Sequence, residues 1–178
     1  MIEIRNIYYM LTYAFSVLKE NTYVNVIAED FDNANELYTA ILIKGVSNQI
    51  KRGLHYEYIE KQEALTMVRG KIDISESISN LDILNKKLSC VYDEYSINNY
   101  LNQIIKSTML LLINEDISKE RKKKLKNLLI HFSSVNQIDL SSINWNMRFT
   151  RNNKTYKMLI AICNLIVEGL LQSNNEGN

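Results

Sequence analysis

Proline does not occur in this 178-residue chain, although average usage of about 5% would supply roughly nine. No stretch rich in Gly, Ser or Pro divides the sequence and no internal repeat is visible, so nothing indicates a flexible linker. The length suits one globular domain, and an elongated pair of subdomains would also fit. We predict one domain over residues 1–172, followed by a tail at 173–178 that is either a frayed end or the start of a connection to something else.

Cysteine and histidine are also scarce. Cys90 and Cys163 are isolated, and with only His55 and His131 elsewhere the chain lacks the ligands of a zinc site. Isolated cysteines are typical of a reduced compartment. The amino terminus does not have the basic start and long apolar run of a signal peptide, and no run reaches the ~18 apolar residues of a membrane span. The sequence therefore predicts a cytoplasmic protein.

An excess of either charge is missing as well. Lys and Arg number 21 against 20 Asp and Glu, a formal net charge of +1, so the chain as a whole is not drawn to nucleic acid or to an acidic membrane. A basic site would have to be local. One cluster qualifies, in the segment SKERKKKLK: Lys119, Arg121, Lys122, Lys123, Lys124 and Lys126. It would either contact phosphates in a salt-dependent way or form the solvated face of an amphipathic helix, which we favour.

What the sequence does have is clear hydrophobic periodicity. It predicts an α+β fold, with two N-terminal helices, a small antiparallel sheet of about three strands, and three C-terminal helices. Apolar residues have helical spacing at 7–18, 34–45, 97–112, 125–132 and 159–170. They alternate as in strands at LHYEY (54–58), VRGKIDIS (68–75) and KLSCVYDE (87–94). Gly53 is expected to end the second helix in a left-handed conformation. Ser96 or Asn98 is expected to start the helix at 97–112, with Asn99, Asn102 and Lys106 on its polar side.

Motifs for nucleotide hydrolysis or nucleophilic catalysis are absent from the sequence. A P-loop requires G-x-x-x-x-G-K-[ST], but Gly70–Lys71 is preceded by Leu65 where the first glycine belongs and followed by Ile72 where the hydroxyl belongs. His55 is expected to be solvent-exposed on a strand, and His131 to lie within a helix. Neither has a recognisable catalytic setting, so we interpret both as structural.

A magnesium-dependent nuclease would need an Asp at one strand end and an [Asp/Glu]-x-Lys motif on the next strand. Only Glu120–Lys122 has this spacing, and it lies in a charged helix opening that Ser118 caps. Asp116 is too close in sequence to be the partner carboxylate. The chain is therefore predicted not to be an enzyme by itself.

The segment RNIYYMLTYAF (residues 5–15) is the most aromatic stretch. Base stacking would need rings exposed on a basic sheet or groove. Tyr8, Tyr9 and Tyr13 instead share helical spacing with apolar residues, which predicts a buried helix that Asn6 caps.

Taken together, the ordered segments resemble the N-terminal half of McrC, the nuclease subunit of McrBC-type restriction systems, which cut DNA containing modified cytosine. The segments are RNIYYMLTYAF, KGVSNQIKRGLHYEY, VRGKIDISESI, YDEYSINNYLNQIIKSTMLLL and TYKMLIAICNLIV. They extend from Arg5 to about Val167. In the family, a C-terminal PD-(D/E)xK domain carries the metal-binding carboxylates and the catalytic lysine. No such motif follows in this sequence, so no catalytic residue is carried over.

The resemblance implies a partner, a hexameric McrB-like AAA+ GTPase ring that this chain would dock on and stimulate, with DNA reached only through the complex. It implies no cofactor in this chain, with GTP and magnesium on the partner and magnesium in the missing nuclease domain. Two elements are candidates for reaching the ring: the turn Glu60–Val68, leading into Arg69, Gly70 and Lys71, and the connection Ser75–Lys87. An ordinary strand entrance is the alternative for Arg69–Lys71. The rival function is a DNA-contacting module that uses the basic helix 119–126.

Overall fold

The computed structural model describes residues 34–175, apart from 152 and 154. The predicted helix at residues 5–15, with its tyrosines and Asn6, lies outside the described residues. The described part divides into two compact units, a helical unit of residues 34–54 and 100–175 and a sheet unit of residues 55–99. In chain order the elements are α1 (Ala34–Arg52), β1 (Glu57–Leu65), β2 (Lys71–Ile72), α2 (Ile74–Ser79), β3 (Leu88–Ser96), α3 (Tyr100–Asn114), α4 (Lys119–Leu129) and α5 (Tyr156–Asn175).

The helical unit confirms the predicted periodicity. Helix α1 packs against α4 and α5, and α3 packs against the same two helices. The apolar positions predicted for the last helix are all buried: Leu159, Ile162, Cys163, Ile166 and Leu170. Gly53 ends α1 with a φ of +96°, as predicted. No helix in the described ranges is long and apolar enough to cross a membrane.

The polar side predicted for α3 is wrong. The helix begins at Tyr100, and Asn102 is fully buried, with its Oδ1 accepting a hydrogen bond of 2.8 Å from the Tyr156 hydroxyl. Lys106 donates from Nζ to the carbonyl oxygen of Phe132 at 3.0 Å. Asn99 precedes the helix and is also buried. These side chains satisfy buried backbone and side-chain groups, which periodicity alone does not reveal.

The sheet unit contains an antiparallel sheet with the strand order β1-β3-β2. The predicted number of strands is confirmed, but their bounds differ. Strand β1 continues to Leu65, so most of the turn predicted at Glu60–Val68 is strand, because nine consecutive residues pair with β3. Strand β2 is only two residues long and ends where the Asp73 side chain accepts from the Glu76 N–H and starts α2. Ile74, predicted in a strand, is therefore in a helix.

The connection predicted at Ser75–Lys87 is not an open loop. It contains most of α2 and a 3₁₀ turn at Asp82–Asn85. The Ser77 hydroxyl is buried, donates to the Asp73 carbonyl at 2.6 Å and accepts from the Ser89 N–H at 2.7 Å. This one side chain fixes α2 against the start of β3.

Candidate functional site

The sheet unit is rich in exposed large hydrophobic side chains. Of twelve large hydrophobic side chains that are exposed among the described residues, ten belong to residues 55–99. A concentration of large exposed hydrophobic side chains in one region is a candidate interaction site. The ten form two groups, one on α2 and the turn after it and one on the sheet and the loop that enters β2.

The first group, which we name the aliphatic ridge, consists of Ile74, Ile78, Leu81, Ile83 and Leu84, with exposed fractions between 50% and 77%. Ile74 and Ile78 have the i, i+4 spacing of one helical face, and Leu81 follows the end of the helix. Ser77 holds α2 against β3, and the side chains of the ridge nevertheless stay exposed. Leu81 also has a φ of +57°, a left-handed conformation that costs a branched residue about 1–2 kcal/mol. Such strain is concentrated at functional surfaces.

The second group is centred on a tyrosine face. Tyr58 and Tyr95 are directly opposite each other on β1 and β3, with ring centroids 5.0 Å apart, and the Tyr56 ring stacks on Tyr95 at 4.9 Å. Two residues further along the same face, Glu60 is opposite Asp93. The exposed Lys71 lines a pocket with Glu60, so the charge at this end of the face is mixed and the tyrosine rings are its main feature. The face suits a protein partner that supplies apolar or cationic side chains.

The residues Arg69, Gly70 and Lys71 lie where β2 meets β3. Gly70 has a φ of +67°, and a Cβ there would lie 2.7 Å from the Cβ of Tyr92 and closer still to the carbonyl oxygen of Val91. The Arg69 guanidinium lies over the Tyr92 ring, 4.2 Å from its centroid. Lys71 is exposed and pairs with Val91. Gly70 is thus required by the close approach of two strands, and the contact of these residues with a partner stays a prediction.

The histidines and the cysteines differ in burial. No cluster of three or more His, Cys, Asp or Glu residues able to hold a metal occurs in the part of the chain that the structure describes. The prediction that His55 is solvent-exposed is wrong: its side chain is 15% exposed, and Nε2 lies 3.0 Å from Oε1 of Glu57. His131 is exposed in a 3₁₀ turn. Burial raises the pKa of the Cys163 thiol to about 12, so Cys163 is not a nucleophile near neutral pH.

The basic residues of α4 differ in their partners. Ser118 caps it as predicted, accepting from the Arg121 N–H. Arg121 forms an ion pair with the buried carboxylate of Glu36 on α1, and Lys124 pairs with Glu120 at 2.6 Å. The Glu120–Lys122 motif therefore lies on a helix with its carboxylate already engaged.

The remaining lysines of the cluster, Lys119, Lys122, Lys123 and Lys126, have the i, i+3, i+4, i+7 spacing of one helix face. Lys119, Lys123 and Lys126 are exposed, whereas Lys122 is half-buried.

Sequence reasoning missed a second source of positive charge next to this cluster. Lys44 and Lys51 of α1 line a groove of about 670 Å³ together with Arg121 and Lys124 of α4. Their spacing of seven residues places them on one face of α1. A search for polar residues at i, i+3, i+4 and i+7 would have found this face, since Ser47 and Asn48 lie between the two lysines.

The family model described as McrBC 5-methylcytosine restriction system component matches residues 3–178. The Type IV methyl-directed restriction enzyme EcoKMcrBC of Escherichia coli (strain K12) is 28% identical over 180 residues, which cover 100% of this chain and 52% of that protein. The chain therefore spans about half the length of this curated relative.

Two solved structures have a similar fold. A chain in the cryo-EM structure of the Thermococcus gammatolerans McrBC complex matches 78% of this chain and 42% of its own length, with a TM-score of 0.60 and 22% identity. A chain in the refined half-complex from the tetradecameric assembly of Thermococcus gammatolerans McrB AAA+ hexamers with bound McrC matches 78% and 34%, with a TM-score of 0.62 and 23% identity.

Proposed function

This chain belongs to the McrBC family of 5-methylcytosine restriction system components, and we propose that it is a non-catalytic, McrC-like domain that docks on a McrB-like AAA+ GTPase ring and stimulates GTP hydrolysis. In this role it couples the ring to the cleavage of DNA containing modified cytosine. Cleavage itself belongs to a PD-(D/E)xK nuclease domain, for which these 178 residues contain no motif. GTP and magnesium are bound by the ring.

The observation that carries the proposal is the concentration of exposed apolar side chains on residues 55–99. Covering the exposed parts of Ile78 and Leu84 would contribute about 1–2 kcal/mol for each side chain. A few buried anchors carry most of the binding energy of a protein interface, and tyrosines such as those of the tyrosine face are common among them. The acidic pair Glu60 and Asp93 beside the tyrosine face adds charge specificity for a partner with basic residues.

A partner that is itself a McrC-binding ring fits these features better than DNA does. The refined half-complex of McrB AAA+ hexamers is described with bound McrC, and this chain has the fold of part of that assembly. An interface built mainly from aliphatic and aromatic side chains depends little on salt, whereas binding through lysine and phosphate weakens steeply as salt rises.

The test is GTP turnover by the cognate McrB-like ring, with and without the 178-residue chain in slight excess. We expect the chain to stimulate turnover. Ile78→Lys and Leu84→Lys should each raise the concentration needed for half-maximal stimulation by roughly tenfold, the equivalent of the lost apolar contact.

The matched control is Ile130→Lys, which makes the same chemical change at an isoleucine that is 70% exposed in the helical unit. It should stimulate as the unsubstituted chain does. The proposal would be contradicted if the unsubstituted chain neither bound nor stimulated the ring. Equal weakening by Ile78→Lys and Ile130→Lys would show that the aliphatic ridge is not the docking surface.

A further inference from the structure

The groove between α1 and α4 in the helical unit is an open channel lined by basic residues. Its volume is about 670 Å³, and Lys44, Lys51, Arg121 and Lys124 line it against one acidic residue, Glu120. Neutral hydrogen-bonding side chains, among them Ser47, Asn48 and Asn127, fill the spaces between the charges. This local excess of positive charge contrasts with the formal net charge of +1 for the whole chain.

The four cations of the groove are not equivalent. Arg121 is paired with Glu36, and Lys124 is paired with Glu120. Over the described residues, no ion pair involves Lys44 or Lys51. The two lysines are seven residues apart, which corresponds to a rise of about 10.5 Å. Their backbone positions are therefore about two helical turns apart. Among the described residues, the packing of α4 against α1 thus leaves Lys44 and Lys51 without a paired carboxylate, with amide and hydroxyl groups between them.

The polar and basic side chains of the groove are of the types that bind a series of phosphates. Lysine binds phosphate as a point charge, and Ser and Asn side chains complete contacts to phosphate oxygens. No aromatic residue is among the described residues that line the groove, whereas sites for single-stranded nucleic acid add rings on which bases stack. The channel is open, unlike the enclosed pocket of a small ligand.

We propose that the α1–α4 groove binds the phosphate backbone of duplex DNA without reading its sequence. Lys44 and Lys51 make the principal contacts, and Asn48 lies between them. Lys119 and Lys123 are exposed and do not line the groove, and they remain solvated. The proposal is independent of ring docking, which uses the sheet unit. Through this contact the helical unit would hold DNA of any sequence.

The experiment is fluorescence anisotropy of a labelled, unmethylated duplex of about 20 base pairs, titrated with the full 178-residue chain at several salt concentrations from about 50 to 200 mM. The informative variant is Lys44→Ala with Lys51→Ala. Its matched control is Lys119→Ala with Lys123→Ala, which removes the same charge from exposed lysines outside the groove. Thermal melting checks that both variants fold.

Each phosphate contact contributes about −0.9 to the slope of log K against log salt. The groove variant should therefore flatten the slope by about 1.8 and weaken binding at least tenfold at the lowest salt, whereas the control should do neither. The proposal is overturned if the unsubstituted chain does not bind the duplex, if the control weakens binding as much as the groove variant, or if a single strand binds more tightly. GTPase stimulation by the groove variant should be unchanged, so this proposal and ring docking can fail separately.

Discussion

Gly70→Ala tests whether the entrance to β2 depends on glycine. The structure places two demands on this position. Its φ of +67° is in the left-handed region, and an added Cβ would meet the backbone of β3, 2.7 Å from the Cβ of Tyr92 and nearer still to the Val91 carbonyl oxygen. The obstacles belong to the backbone and to a Cβ, so no flexible side chain can move aside.

These two requirements give the expected loss in the free energy of unfolding. An L-residue in the left-handed conformation costs about 1–2 kcal/mol, and overlap with a well-packed neighbour costs about 1–3 kcal/mol more. We therefore expect Gly70→Ala to lower the free energy of unfolding by roughly 2–5 kcal/mol. At about 2–4 °C per kcal/mol for a chain of this size, the melting temperature should fall by at least ~4 °C.

Gly53→Ala is the control, because Gly53 also has a positive φ, of +96°, but nothing lies within 4 Å of an added Cβ. Urea unfolding should show a loss for Gly70→Ala that exceeds the loss for Gly53→Ala. Hydrogen exchange should accelerate at Lys71 and Ile72, whose pairing with β3 would be pushed apart. If Gly70→Ala were no less stable than Gly53→Ala, the argument from close strand approach would be refuted.

Two further predictions concern the helical unit. Glu36→Ala leaves the half-buried Arg121 without this carboxylate, and it should lower the free energy of unfolding in urea by about 2–3 kcal/mol. The control Glu120→Ala removes an exposed carboxylate and should change stability little. An equal loss of stability in both variants would argue against a special role for Glu36. Burial raises the pKa of Cys163 from 9.0 to about 12. The folded state therefore retains the thiol proton, and the free energy of unfolding should be unaffected below about pH 9 and fall between about pH 9 and pH 12. A Cys163→Ala variant should lose that part of the alkaline decline, and an identical pH profile for both chains would contradict the assignment.

Helical periodicity was a good guide where one face of an element is buried and the other is solvated. The spacing of Leu159, Ile162 and Ile166 predicted α5, and these residues are buried as expected. The same reasoning placed Asn102 on a polar face, and it is fully buried because the Tyr156 hydroxyl supplies its partner. A residue 54 positions away in sequence provides that hydrogen bond, and no local pattern contains it.

Strand bounds were less predictable for a related reason. Charged residues of β1 such as Glu60 and Lys61 were predicted to lie in a turn. They continue the strand instead, because β3 offers backbone partners along its whole length. Lys61 also pairs across the sheet with Glu94. The chosen site residues were affected in the same way. Gly70 was singled out as part of a partner contact, and the structure places it against β3 of its own chain; the exposed aliphatic residues of the Ser75–Lys87 connection were not singled out.

The sequence by itself determined the helical periods, the α+β class, the left-handed end of α1 at Gly53 and the resemblance that the family match confirmed. These follow from local properties of the chain, since side-chain spacing and backbone freedom act over a few residues. Tertiary structure alone decided which surfaces are available. It left the aliphatic ridge exposed, and it placed Lys44 and Lys51 beside Lys124, more than seventy residues later in the chain. Charges so distant in sequence combine only when packing brings their helices together.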